Sequence, residues 1–178
     1  MMAHDDNLLP NQPRKTKVPQ FRIIAYLFIP LLAILFQVYV PRFVEYLSYL
    51  ELPLLVTVYF AIMRRQPIAG AVIGSAIGLL QDSLSQHPLG MFGIVKTLVG
   101  YFAASISQRF DVENSALRFI LSFFFFLFHQ FFFWVMASGL LGQNLEFQLP
   151  QTIIFAFLNA VVAVPLFLIL DRLRTIER

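Results

Sequence analysis

Asp82 and Lys96 are the residues of this chain best placed to do chemistry, because each is a charge set into a stretch that otherwise lacks them. Both fall in GLLQDSLSQHPLGMFGIVK, from Gly78 to Lys96. A carboxylate and an ammonium on neighbouring apolar helices can do three things. They can lock the helices together, receive a ligand or a partner's polar group, or relay a proton. His129, with Gln130 beside it, interrupts a second apolar run, LSFFFFLFHQFFFW, and Asn159 a third. A neutral histidine or an asparagine in such a place can simply hydrogen-bond across helices. His87, in the turn SQHP, is expected in water.

Other chemistry is excluded or poorly supported. There is no cysteine, so disulfides, thiolate metal sites and a cysteine nucleophile are ruled out. The three histidines are scattered, with no acidic helper at ligand spacing, and no cofactor is expected. No phosphate-binding lysine loop, HExxH, GxSxG or paired-carboxylate arrangement is present, and nothing suggests nucleic acid.

The elements that must hold these residues follow from composition. Of 178 residues, 58% are hydrophobic and only 13% charged, with a mean hydropathy of +0.73. A soluble domain carries about 25% charged residues. The apolar residues also come in long blocks, so the chain reads as an all-α integral membrane protein, a compact bundle of about six transmembrane helices. The start, MMAHDDNLLPNQPRKTKVPQFR, has no cleavage pattern and is expected to be a flexible basic tail, residues 1–22. Residues 23–170 form the membrane domain and 171–178 a second basic tail.

The expected spans are Ile23–Val40, a helix ending at Arg64, Ile68–Leu84, Leu89–Ser107, Leu117–Leu141 and Thr152–Leu170. The second is the weakest. Its purely apolar part, Leu54–Met63, covers only about 15 Å, half of a hydrocarbon core. An interfacial stretch, Phe43–Leu50, is expected to feed it, with Tyr46 and Tyr49 at headgroup level. Lysine and arginine support this count. With both termini in the cytoplasm, the inner side collects nearly all of them and the outer side only Arg42.

Gly70, Gly74 and Gly78 recur every four residues and lead to Asp82, while Gly93 and Gly100 flank Lys96 on the next helix. Small residues at this spacing let two backbones approach where lipid supplies no hydrophobic drive. The short turn makes the two helices antiparallel neighbours, with Pro88 expected in the first turn of the second. Lys96 then lies roughly 12 Å below the helix mouth, too deep to snorkel fully. A bare ammonium there costs at least about 2–3 kcal/mol on insertion scales. Asp82 is the expected partner in a polar lock, with docking to a partner protein as the other use of the pair.

At these residues the chain resembles the MreD family of rod-shape-determining membrane proteins. The likeness rests on LPLLVTVYFAIMRR, the glycine-rich helix ending in GLLQD, the PLG start of the next helix, and KTLVGY. It covers Leu52 to Arg109, with Gly78, Asp82, Gly90, Lys96 and Gly100 at matching positions. The resemblance implies a place in the bacterial inner membrane, with MreC as main partner. It also implies indirect links to the actin-like MreB, the glycosyltransferase RodA and its partner transpeptidase. The implied fold is that of the substrate-binding subunits of energy-coupling-factor vitamin transporters. No catalytic residue is implied. The reading is a non-enzymatic scaffold of the cell-elongation machinery, compatible with a homo-oligomer, that helps organise peptidoglycan synthesis. The alternative is a small-molecule-binding subunit of a vitamin-type transporter, with Lys96, Asp82, His129 and Gln37 as its candidate pocket residues. An enzyme acting on lipid-linked precursors fares worse, for want of an acid–base pair.

Overall fold

The computed structural model describes residues 23–85, 88–143 and 146–173. The two expected tails, apart from Asp171–Leu173, and His87 lie outside them. The described residues form six α-helices and no strand: α1 (Ile23–Tyr39), α2 (Leu52–Arg64), α3 (Pro67–Leu84), α4 (Met91–Ser107), α5 (Ser115–Gly139) and α6 (Leu149–Arg172). Local chemistry sets several of the ends. Proline stands in the first turn of α2, α3 and α6, where its missing N–H costs nothing. The Asn114 side chain accepts from Ala116 N–H at 2.8 Å and caps α5. Helix α4 begins at Met91, after Gly90 in a left-handed turn (φ 97°), so Pro88 precedes the helix instead of opening it. Helix α6 runs past Leu170 to Arg172, which takes the start of the expected C-terminal tail into the membrane domain.

Among the described residues, five segments are long and apolar enough to cross a membrane, and α4 is a shorter apolar helix. Their outer faces are apolar: Leu27, Phe28, Val72, Phe124, Phe157 and Leu168 are all exposed. A bundle with greasy side chains outside as well as inside is one whose solvent is lipid.

The doubtful second span turns out to be the centre of the molecule. Every residue of α2 from Pro53 to Met63 is buried, and α2 touches each of the other five helices. This explains its shortness. A helix wrapped in protein need not match the bilayer, and the irregular backbone before it is tolerated because protein surrounds it. That stretch holds two 3-10 turns, Val40–Arg42 and Glu45–Tyr49, in place of a continuous helix. Tyr49 stacks on Phe155 of α6 (centroids 4.1 Å apart), while Tyr46 is exposed.

Helices α3 and α4 make the most extensive contact in the fold. A Cβ on Gly70 would overlap the Gly100 carbonyl oxygen, one on Gly74 that of Lys96, and one on Gly78 that of Phe92. The two backbones therefore touch along the whole glycine row, which sets the register of the pair. Gly93 differs: a Cβ there would meet the Leu79 side chain at 2.9 Å, not backbone.

Candidate functional site

Lys96 of α4 is wholly buried, and its backbone carbonyl is the group that Gly74 of α3 packs against. Its Nζ lies 3.3 Å from Nε2 of His129 on α5 and 3.8 Å from Oε2 of Glu51, just before α2. It also sits 4.4 Å above the Phe92 ring, one turn earlier on its own helix, in a cation–π contact. An ammonium can only donate, so Nε2 of His129 accepts and the ring proton sits on Nδ1.

Asn159 of α6 is what holds Glu51 in place. Its Oδ1 accepts from the Glu51 backbone N–H at 2.8 Å, and its Nδ2 donates to the Tyr49 carbonyl at 2.8 Å and to Phe155 at 2.9 Å. One buried side chain thus satisfies backbone groups freed by the break before α2, which inside a membrane must be bonded within the protein. By fixing that break it aims the Glu51 carboxylate at Lys96.

Asp82 does something other than pair with Lys96. Its carboxylate accepts from the N–H groups of Gly90, Phe92 and Gly93 at 2.9, 3.1 and 3.0 Å. No ion pair joins it to Lys96 among the described residues. The physical reason is competition. A helix N-terminus presents N–H groups that lack partners and carries the positive end of the helix dipole, and a carboxylate meets both needs at once. Asp82 at the end of α3 reaches the start of α4 directly across the turn, so it caps that helix and Glu51 is left to serve Lys96. The lock between α3 and α4 expected from the sequence is therefore a carboxylate on a helix end.

The sequence reading missed Glu51 and Gln81. Glu51 falls just outside the expected interfacial stretch Phe43–Leu50, and an acidic residue two positions before the proline that opens an apolar helix was a usable signal. Gln81 was passed over inside GLLQD; it is buried and stands beside Asp82. Both face a cavity of about 410 Å³ at the end of the bundle that carries the α1–α2, α3–α4 and α5–α6 connections. His129, Gln130 and Gln37 also line it, and Lys96 lies behind its wall. Among the described residues no cluster of His, Cys, Asp or Glu is arranged to hold a metal ion.

A second buried cation stands at the opposite end. Arg118 of α5 donates from Nε to the Val112 carbonyl at 2.7 Å and pairs with Asp171 of α6, which also accepts from the Tyr59 hydroxyl at 2.8 Å. From the sequence, Arg118 was only one of the topology-setting charges.

The fold and its buried charge clusters define a multi-pass helical membrane protein whose polar residues join helices across the interior. The family model for rod shape-determining protein MreD matches residues 17–174. The chain belongs to the MreD family and shares that family's role in the determination of rod shape. No curated protein and no solved structure matches it.

Proposed function

We propose that the chain is a non-enzymatic scaffold of the cell-elongation machinery in the bacterial inner membrane, with both termini cytoplasmic. It binds MreC and, through it, helps organise RodA, its partner transpeptidase and MreB for peptidoglycan synthesis. The family match over residues 17–174 carries this reading. Two features support it. The small-residue faces of α3 and α4 are spent on each other, which leaves other surfaces for a partner's membrane helix. Helix α1 exposes Ile24, Leu27, Phe28 and Leu32, and α5 exposes Phe124 and Phe131. In this role function is a set of helix–helix free energies, and no bond is made or broken.

A second reading is favoured by the cavity beside Glu51 and His129: a small-molecule-binding subunit of a vitamin-type transporter. One experiment separates the two. The tagged protein is purified from its own membrane in mild detergent, and whatever accompanies it is identified by mass spectrometry. MreC and elongation enzymes in near-stoichiometric amounts are expected. An ATPase-coupled module in their place, without MreC, would overturn the scaffold.

A further inference from the structure

Buried polar atoms without a hydrogen bond are scarce in native proteins, and each calls for a reason. In this molecule many of them gather in one place. Gln37 Oε1, Glu51 Oε2, Gln81 Oε1, Ser85 Oγ and His129 Nδ1 have no hydrogen-bond partner. All of these residues line the same cavity of about 410 Å³. Gln81 is 3% exposed and His129 1%, so bulk water does not serve them.

Their chemistry describes a complement. The Gln37 amide nitrogen is directed at the Ser48 carbonyl (3.4 Å), so its oxygen is the free end. With Glu51 and Gln81, that makes three acceptor oxygens on the cavity's lining, two amide and one carboxylate. Against them stand the Nδ1–H of His129 and the Ser85 hydroxyl. At these buried, unbonded atoms a ligand must donate more hydrogen bonds than it accepts, while Arg42 and Ser48 line the exposed side of the cavity. The buried part of the lining does not call for a charged ligand, because Glu51 is already balanced by Lys96 at 3.8 Å; the one cation on the exposed side, Arg42, lies over the Tyr39 ring at 5.3 Å. A set of hydroxyl groups meets both conditions.

Of the remaining lining, Val38 and Leu84 are aliphatic, Arg42 is an exposed cation, and Phe92 and Phe133 are aromatic. Phe92 and Phe133 lie nearly parallel with centroids 5.1 Å apart. A neighbouring cavity of about 330 Å³ shares Ser48, Glu51, Gln130 and Phe133 with the first, and adds Trp134 and Phe147, whose rings are 5.6 Å apart. Each volume falls at the lower end of the roughly 300–1,000 Å³ usual for small-molecule sites. Flat rings beside clustered acceptors suit a molecule with C–H faces and a hydroxyl rim. We propose that this double cleft binds a neutral polyhydroxylated ring, a sugar or cyclitol, either free or as the headgroup of a lipid. The cleft opens at the end of the bundle where the helix connections lie, which is headgroup level for a spanning bundle. The proposal does not depend on the scaffold reading, since a scaffold can carry such a ligand with or without MreC.

The test uses the full chain in phosphatidylcholine nanodiscs, prepared with a detergent that has no sugar headgroup. Trp134 is the only tryptophan and lines the cleft, so its fluorescence reports occupancy. Thermal unfolding is the second readout. Methyl glucoside and myo-inositol are titrated from solution, and in a parallel series the nanodiscs carry increasing monoglucosyl diacylglycerol. A saturable response is expected in at least one series, and Gln81→Leu should weaken it about tenfold. This variant removes no hydrogen bond found in the structure, so its own unfolding temperature should not fall. Saturation from solution assigns a free ligand, and saturation by the glycolipid alone assigns a headgroup. Absence of both a fluorescence change and an unfolding shift in both series overturns the proposal and makes the cleft a water-filled one. So does a response that Gln81→Leu leaves unchanged.

Discussion

The two ends of the bundle each bury a cation, and they do so differently. At the end where α1 begins and α6 stops, Arg118 bonds a backbone carbonyl and a carboxylate, and that carboxylate takes a tyrosine hydroxyl as well. No buried side-chain atom of Arg118, Asp171 or Tyr59 lacks a hydrogen bond. At the other end, Lys96 has a looser pair with Glu51 and an imidazole whose second nitrogen is unbonded. A satisfied polar network makes a bundle rigid, whereas an incomplete one is costly unless something else completes it. The first cluster is a staple between α5, α6 and α2. The second is built around a cavity and keeps groups available.

The contrast can be broken by mutation. Arg118→Ala should have the largest effect, a loss of about 3–5 kcal/mol in detergent unfolding, because it strands a partly buried carboxylate. Lys96→Met should cost clearly less, since Glu51 borders the cavity and can take up water there; equal losses would make both clusters staples. Asn159→Ala comes next, at about 1–3 kcal/mol for the backbone groups it leaves unbonded. It should also weaken the response of the cleft, as Glu51 loses its anchor.

Gly74→Ala should cost about 1–3 kcal/mol because the new methyl meets backbone that cannot move aside. Gly93→Ala meets only the end of Leu79, so its loss should be smaller. Unfolding curves that place Gly93→Ala at or above Gly74→Ala would contradict the register described for α3 and α4. The smallest effect is a coupling. In double-mutant cycles, Glu51→Gln with Lys96→Met should deviate from additivity by about 1 kcal/mol, more than Asp82→Asn with Lys96→Met. The reverse order would restore the pairing first read from the sequence.

Much of the fold was legible because lipid imposes its demands segment by segment. Length, hydropathy and the bias of Lys and Arg locate α1, α3, α5 and α6 to within a few residues. The glycine row also announces itself, as close backbone contact needs small residues at every turn. Helix α2 was the hard case: local hydropathy measures fitness for lipid, and α2 is surrounded by protein instead.

The sequence by itself determined which segments are apolar helices and that α3 and α4 pack as a glycine-faced hairpin, since both depend on neighbours a few residues apart. Only the tertiary structure decided the partners of the charges. Asn159 reaches across 108 positions to hold Glu51, and His129 comes to Lys96 from 33 positions away. Such pairings depend on how each helix is rotated and on where the chain breaks before α2. Asp82 could reach either Lys96 or the open N–H groups of α4, and the strength of a helix end as an anion site settled it.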